Sequence, residues 1–218
     1  MDERTKVQYV FLDMEKVVLN MNFLTGLKVL VGGLAGYQLL SLMKKGTRSV
    51  LRPPGASDED SFLAQCIRCD KCVQACPHDV IKVGDASHGV GIGTPYIVPR
   101  EGACQLCEDF PCVEVCPTEA LSGIKKVSDV KMGVAVLDRE NCIALKGNRC
   151  EVCYRACPLI DQAITINYKL REGDNINTIF EPIINKEYCV GCGICEERCV
   201  VSEPVAIRIK PREIEGLF

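Results

Sequence analysis

The chain has 218 residues, enough for one or two domains, and its formal net charge of −3 argues against nucleic acid as a general partner. It contains 16 cysteines and no tryptophan. So many cysteines are typical of either a disulfide-bonded secreted scaffold or a metal protein, and their spacing distinguishes the two classes.

The N-terminal segment, residues 1–50, contains a mostly apolar stretch of 21 residues from Phe23 to Met43. A helix of 21 residues rises roughly 31 Å, which matches one hydrocarbon thickness, and we place this helix at about residues 22–43. Lys28 and Gln38 interrupt the stretch, so an amphipathic or buried soluble helix is the alternative. We predict an uncleaved membrane anchor.

Basic residues follow the apolar stretch closely, namely Lys44, Lys45, Arg48 and Arg52. The positive-inside rule favours a cytoplasmic location for this end of the helix. The same charge pattern also occurs in export signals, so charge alone leaves the side of the membrane open.

Residues 51–218 form the predicted second domain. The prolines and glycine of Arg52–Ala56 break any preceding helix, and Ser57–Asp60 is typical of a helix N-terminus, where acidic side chains favour the positive end of the helix dipole. This helix leads directly into the first cysteine run.

The first run has the spacing C-x2-C-x2-C-x3-C-P, ending at Pro77, which is typical of bacterial 4Fe-4S proteins. Three closely spaced thiolates ligate one cluster, and the fourth ligates a different one. The pattern recurs with variations at intervals of about 40 residues. The four runs contain every cysteine of the chain: Cys66, Cys69, Cys72 and Cys76; Cys104, Cys107, Cys112 and Cys116; Cys142, Cys150, Cys153 and Cys157; and Cys189, Cys192, Cys195 and Cys199.

Short apolar segments flank the runs and predict strands. Four follow a run (Val80–Val83, Ala120–Leu121, Ala163–Ile166 and Val205–Ile209), and three precede one (Tyr96–Val98, Val134–Leu137 and Ile179–Ile184). Strand, cysteine loop, helical turn and strand is the ferredoxin pattern. We therefore predict an α+β, double ferredoxin-like fold, with two modules of two clusters each and the N-terminal membrane helix.

Sixteen thiolates fill four 4Fe-4S clusters of four ligands each, which predicts a protein that relays electrons. Structural zinc in an interaction module is the alternative, because C-x2-C pairs also bind zinc, but zinc sites do not repeat in runs of four. No catalytic residue is visible, so we expect an electron-transfer subunit and not an enzyme on its own. Such a subunit needs a donor and an acceptor.

Several stretches between and around the cysteines resemble the NapG/MauM ferredoxin-type proteins over about residues 50–212. The resembling stretches are Arg52–Ala56, Phe62–Cys69, Gly93–Tyr96, Cys104–Cys112 and Cys150–Ile160. The resemblance implies an electron-transfer subunit with four 4Fe-4S clusters that works with a membrane quinol-oxidising partner of the NapH type and a redox enzyme.

The resemblance also implies a cluster pairing and a location. Related four-cluster subunits pair run one with run four and run two with run three, which would place Cys199 with the first run and Cys157 with the second; sequential pairing is the alternative. The family implies the periplasmic face of the membrane. Asn20 and Met21 stand where its twin arginines precede Phe23-Leu24, so a cytoplasmic face, serving a molybdenum or tungsten oxidoreductase, is the alternative.

Overall fold

The first helix begins where the sequence predicts it. In the computed structural model, which describes residues 50–171 and 178–212, helix α1 covers Glu59–Gln65. The Asp58 carboxylate caps it by accepting a hydrogen bond from the Ser61 backbone N–H at 3.0 Å. Within these ranges no helix is long and apolar enough to cross a membrane. The predicted anchor over residues 22–43 lies outside them.

Among the residues that the structure describes, four further α-helices are single turns, and six short strands form three separate pairs. The helices are α2 (Lys71–Gln74), α3 (Pro111–Glu114), α4 (Val152–Ala156) and α5 (Ile194–Glu197). The strands are β1 (Ile81–Val83), β2 (Pro95–Ile97), β3 (Gly133–Leu137), β4 (Ile164–Leu170), β5 (Thr178–Ile184) and β6 (Ile207–Pro211). Each helical turn lies within a cysteine run, as predicted.

The strands pair in the same way in two consecutive halves of the chain. In the first module, residues 50–131, β1 pairs antiparallel with β2, and a single bridge joins Ala56 to Leu121. In the second module, residues 132–212, β4 pairs antiparallel with β5, and β3 pairs with β6. Six predicted strands are therefore confirmed, whereas Ala120–Leu121 contributes only that bridge.

Cysteines take the place of apolar side chains in much of the core. The largest buried cluster includes Leu51, Ile97, Phe110, Val130 and Met132. Its buried members also include three cysteines: Cys104, Cys112 and Cys192. Since potential ligands lie inside the core, a metal centre bound to them would add to the stability of the folded state.

The two modules meet at the second and fourth cysteine runs. The Cys104 backbone N–H donates to the Cys192 carbonyl oxygen at 2.9 Å. Gly193 lies in the left-handed region with φ of 91°, and a Cβ there would come within 2.7 Å of the Pro99 side chain. A residue without a Cβ is therefore required for this close approach.

Candidate metal centres

Four cavities in the structure are each lined by four cysteines, with empty volumes of about 310 to 360 Å³. Three cysteines in each come from one run and the fourth comes from another. Site I is formed by Cys66, Cys69, Cys72 and Cys116; site II by Cys104, Cys107, Cys112 and Cys76; site III by Cys142, Cys150, Cys153 and Cys199; and site IV by Cys189, Cys192, Cys195 and Cys157. All sixteen predicted ligands therefore line one of these cavities.

The pairing of the runs is sequential, so the pairing implied by the family resemblance is wrong. Cys116 joins the first run and Cys199 joins the third, whereas run one was expected to share its cluster with Cys199. The reason is topological. Strands β1 and β2 form an antiparallel pair that folds run two back onto run one, and the β4–β5 pair does the same for runs three and four.

Left-handed backbone positions curl the chain around the closely spaced cysteines of the first and fourth runs. Arg68 and Asp70, on either side of Cys69, have φ of 56° and 57°, and Gly191 and Gly193 occupy the same positions around Cys192. Residues other than glycine and asparagine pay a conformational cost there, so the surrounding structure must hold them in place. These turns let closely spaced cysteines converge on one cavity.

Each single-turn helix connects two adjacent sites, because it carries a cysteine of one site and is followed by a cysteine of the other. Helix α2 carries Cys72 into site I, and Cys76, which follows the helix, lines site II. Helix α3 does the reverse, because Cys112 lines site II and Cys116 lines site I. Helices α4 and α5 relate sites III and IV in the same way.

All but one of the cysteines are buried or half-buried, and this burial changes the pKa of several of their thiols. Burial, reinforced by the neighbouring cysteines, raises the pKa of the Cys112, Cys153 and Cys192 thiols to about 12 and that of Cys72 to about 11. A metal must therefore displace tightly held protons from these thiols. Four thiols around a shielded cavity are the donor set that binds a 4Fe-4S cluster.

Backbone N–H groups also point at the sulfur atoms. The Leu121 N–H lies 3.4 Å from Cys116 Sγ, and the Ala135 N–H lies 3.4 Å from Cys189 Sγ. Burial opposes ionisation of Cys116, but bonds from Leu121 and Thr118 outweigh it, so the pKa of Cys116 is lowered. Sequence reasoning missed these donors because a main-chain N–H has no signature in the side-chain sequence.

The contacts between sites set their order along the protein. Sites I and II adjoin within the first module through α2 and α3, and sites IV and III adjoin within the second through α4 and α5. The Cys104–Cys192 hydrogen bond joins site II to site IV. The sites therefore follow one another in the order I, II, IV, III.

The family model of the 4Fe-4S dicluster domain matches residues 65–120 and 142–202. Each match contains two cysteine runs and coincides with one structural module, in agreement with the sequential pairing.

The chain is also similar to curated proteins over most of its length. It is 45% identical over 183 residues to the ferredoxin-type protein NapG of Escherichia coli, covering 83% of this chain and 78% of that protein. It is 41% identical over 186 residues to the methylamine utilization ferredoxin-type protein MauM of Methylorubrum extorquens, covering 84% and 83% of the two chains. MauM of Methylophilus methylotrophus is 45% identical over 170 residues, covering 76% of this chain and 73% of its own length. With its cysteine-lined cavities and these relatives, the chain belongs to the NapG/MauM ferredoxin-type proteins, which are iron–sulfur proteins that transfer electrons.

Proposed function

We propose that the chain carries four 4Fe-4S clusters, one in each of sites I to IV, and relays electrons between a membrane quinol-oxidising subunit and a redox enzyme. The observation that carries this proposal is that the sixteen cysteines divide into four cavities of four, with none left over. When bound, clusters of this type supply one-electron redox chemistry.

The polypeptide holds, spaces and shields the four sites. Buried cysteines and the apolar residues around them exclude water, and backbone N–H groups stabilise negative charge on the sulfur atoms. The contacts between neighbouring sites support a single route in the order I, II, IV, III. Sites I and III are the two ends of this route.

A relay with two ends needs two partners and no substrate site of its own. One partner is a NapH-like membrane subunit that oxidises quinol, and the other is a redox enzyme that accepts the electrons. The apolar stretch at residues 22–43 anchors the chain, with its clusters on the periplasmic face. The periplasmic face is proposed from the family resemblance, whereas Lys44, Lys45 and Arg48, which follow the stretch, favour the cytoplasmic side by the positive-inside rule; Arg52 is bonded within the fold and is not counted with them.

Iron and sulfide analysis of the anaerobically purified protein tests the cofactor count. Four clusters require about 16 iron and about 16 sulfide per chain, and a structural zinc module would give neither. A stoichiometry of about 8 iron, reproduced after reconstitution, would contradict the proposal of four clusters.

Purification of the protein from its native membranes in mild detergent tests the partners and the location. The proposal expects a polytopic quinol-oxidising subunit in the complex, and cleavage of the cysteine domain by protease added to the periplasmic side. A molybdenum or tungsten subunit in the complex, together with protection from that protease, would place the relay in the cytoplasm.

A further inference from the structure

We infer that the surface beside site I docks the membrane-embedded quinol-oxidising subunit, so that electrons enter the relay at site I and leave it at site III. This inference rests on the proposed function and adds its direction and its docking face. The docking face, called here the site I patch, consists of Ile67, Val90 and Ile92.

The site I patch is an exposed apolar surface beside the most accessible ligand. Ile67, Val90 and Ile92 are 61%, 49% and 47% exposed. Cys69, which lines site I, is the one exposed cysteine among the sixteen. Site I is therefore the place where the relay comes nearest to an outside partner.

Arg68 joins the parts of the patch into one surface. Its guanidinium donates to the Val90 carbonyl oxygen at 3.2 Å, and its side chain lies against Gly93. Ile67, next to Arg68 in the ligand loop, is thereby held beside the loop that carries Val90 and Ile92.

The chain that leads from the predicted anchor enters the fold at this loop. Leu51 pairs with Ile97, and the Arg52 guanidinium donates to Thr94 Oγ1 and the Pro95 carbonyl oxygen, both at 2.8 Å. Arg52 is 7% exposed and also bonds Glu59. The start of the described chain is thus firmly attached two to five residues from Ile92 in sequence.

The length of the connection limits how far this loop can lie from the membrane. The predicted anchor helix ends at Met43, and Val50 is seven positions later. Seven residues span at most about 25 Å when fully extended. For an anchored chain this short connection limits how far Val50, where the described fold starts, can lie from the membrane, and no predicted anchor adjoins the residues of site III in the sequence.

The occupant is a redox protein because the patch borders an electron-carrying site. Oxidation of one quinol in that subunit yields a quinone, two protons and two electrons. The electrons pass the patch one at a time and reduce the relay in two one-electron steps. A lipid surface covering the same patch would insulate site I.

The other end of the relay provides a matched control surface. Tyr168 and Leu170 on β4 are 60% and 61% exposed. They belong to the same strand pair as Phe180, which packs against the buried cluster that contains Cys142 of site III and has the Arg149 guanidinium over its ring. An apolar-to-charged substitution at Leu170 is therefore made at a side chain even more exposed than Val90 or Ile92, but it lies at the end assigned to the enzyme.

The test compares two variants of the full chain in native membranes. One carries both Val90→Glu and Ile92→Glu, and the control variant carries Leu170→Glu. Added quinol reduces the clusters, and their bleaching is followed by visible absorbance, with dithionite reduction and iron content confirming that each variant is loaded. We expect the double variant to slow reduction by quinol at least tenfold and Leu170→Glu to leave it within twofold of the wild type.

A photo-crosslinking side chain placed at position 92 or 170 gives a second readout that does not depend on electron transfer. Position 92 is expected to capture the polytopic membrane subunit, and position 170 is not. Capture at position 170 alone, or slowing by Leu170→Glu alone, would reverse the assignment, and crosslinking to lipid at position 92 would replace the protein occupant. Failure of quinol to reduce even the wild-type protein would refute the proposed function itself.

Discussion

Replacing Arg100 by methionine is expected to loosen the junction between the two modules. Arg100 belongs to the first module, and its Nη1 donates to the carbonyl oxygens of Glu196 and Cys199 at 2.8 Å and of Glu197 at 3.2 Å. These carbonyls lie at and after the end of α5, between sites IV and III. Methionine keeps much of the side-chain length but removes every donor.

The size of the effect follows from the geometry. A hydrogen bond from a charged donor contributes about 1.5 to 3 kcal/mol, and a cation at the C-terminal end of a helix is favourable. The Arg100 side chain is half-buried, and its Nη1 alone donates to all three of these carbonyl oxygens, so the energies of the three hydrogen bonds do not add. We expect a loss of about 2 kcal/mol, which corresponds to about a 30-fold change in rate if the contact is broken before the clusters are released.

The assay is the rate of loss of visible absorbance in guanidinium under anaerobic conditions, because cluster loss makes unfolding irreversible and a rate is then the meaningful quantity. Arg155→Met is the matched control. The Arg155 side chain is 69% exposed and pairs with Glu151 one helical turn away, so its replacement should change the rate by no more than about twofold. Equal rates for the Arg100 and Arg155 variants would refute the reasoning.

Three other predictions follow from the sites. Cys69→Ala and Cys116→Ala should each remove about four iron atoms per chain, and so should the double variant, because both cysteines line site I. Cys69→Ala combined with Cys199→Ala should remove about eight. The reverse result would restore the pairing of run one with run four. Phe62→Ala removes a fully buried ring that packs beside Cys66, Cys72 and Cys116, so the local structure around site I should lose about 3 to 5 kcal/mol of stability. The expected readout is that about a quarter of the visible absorbance bleaches faster than the rest. Uniform bleaching of all the absorbance would contradict a local effect. Burial raises the pKa of the Cys104 thiol from its ordinary 9.0 to about 12. The stability that this neutral thiol contributes to the metal-free protein is therefore present below pH 9 and lost as the pH rises towards 12. Over that pH range the thermal midpoint of the metal-free wild-type protein should fall more than the thermal midpoint of the metal-free Cys104→Ala variant.

The ligands and the local structure could be predicted from the sequence because they depend on short-range spacing. The C-x2-C-x2-C-x3-C runs identified all sixteen cysteines that line the four cavities, and the acidic turn at Asp58–Asp60 located the start of α1. Apolar segments next to the runs located six strands. Ala120–Leu121 is only a bridge, because its partner segment at Ala56 follows two prolines and a glycine and extends no ladder.

Which run shares a cavity with which was decided by the tertiary structure alone. Both pairings use the same four cysteines, one after each helical turn, so the cysteine spacing in the sequence is identical in either case. The choice depends on the antiparallel β1–β2 and β4–β5 pairs, each of which folds one run back onto the run before it. The order of the sites likewise depends on contacts between the modules, such as the backbone hydrogen bond from Cys104 to Cys192, which joins residues that are far apart in sequence. Contacts of this kind follow from how the modules pack, and no short stretch of sequence encodes them.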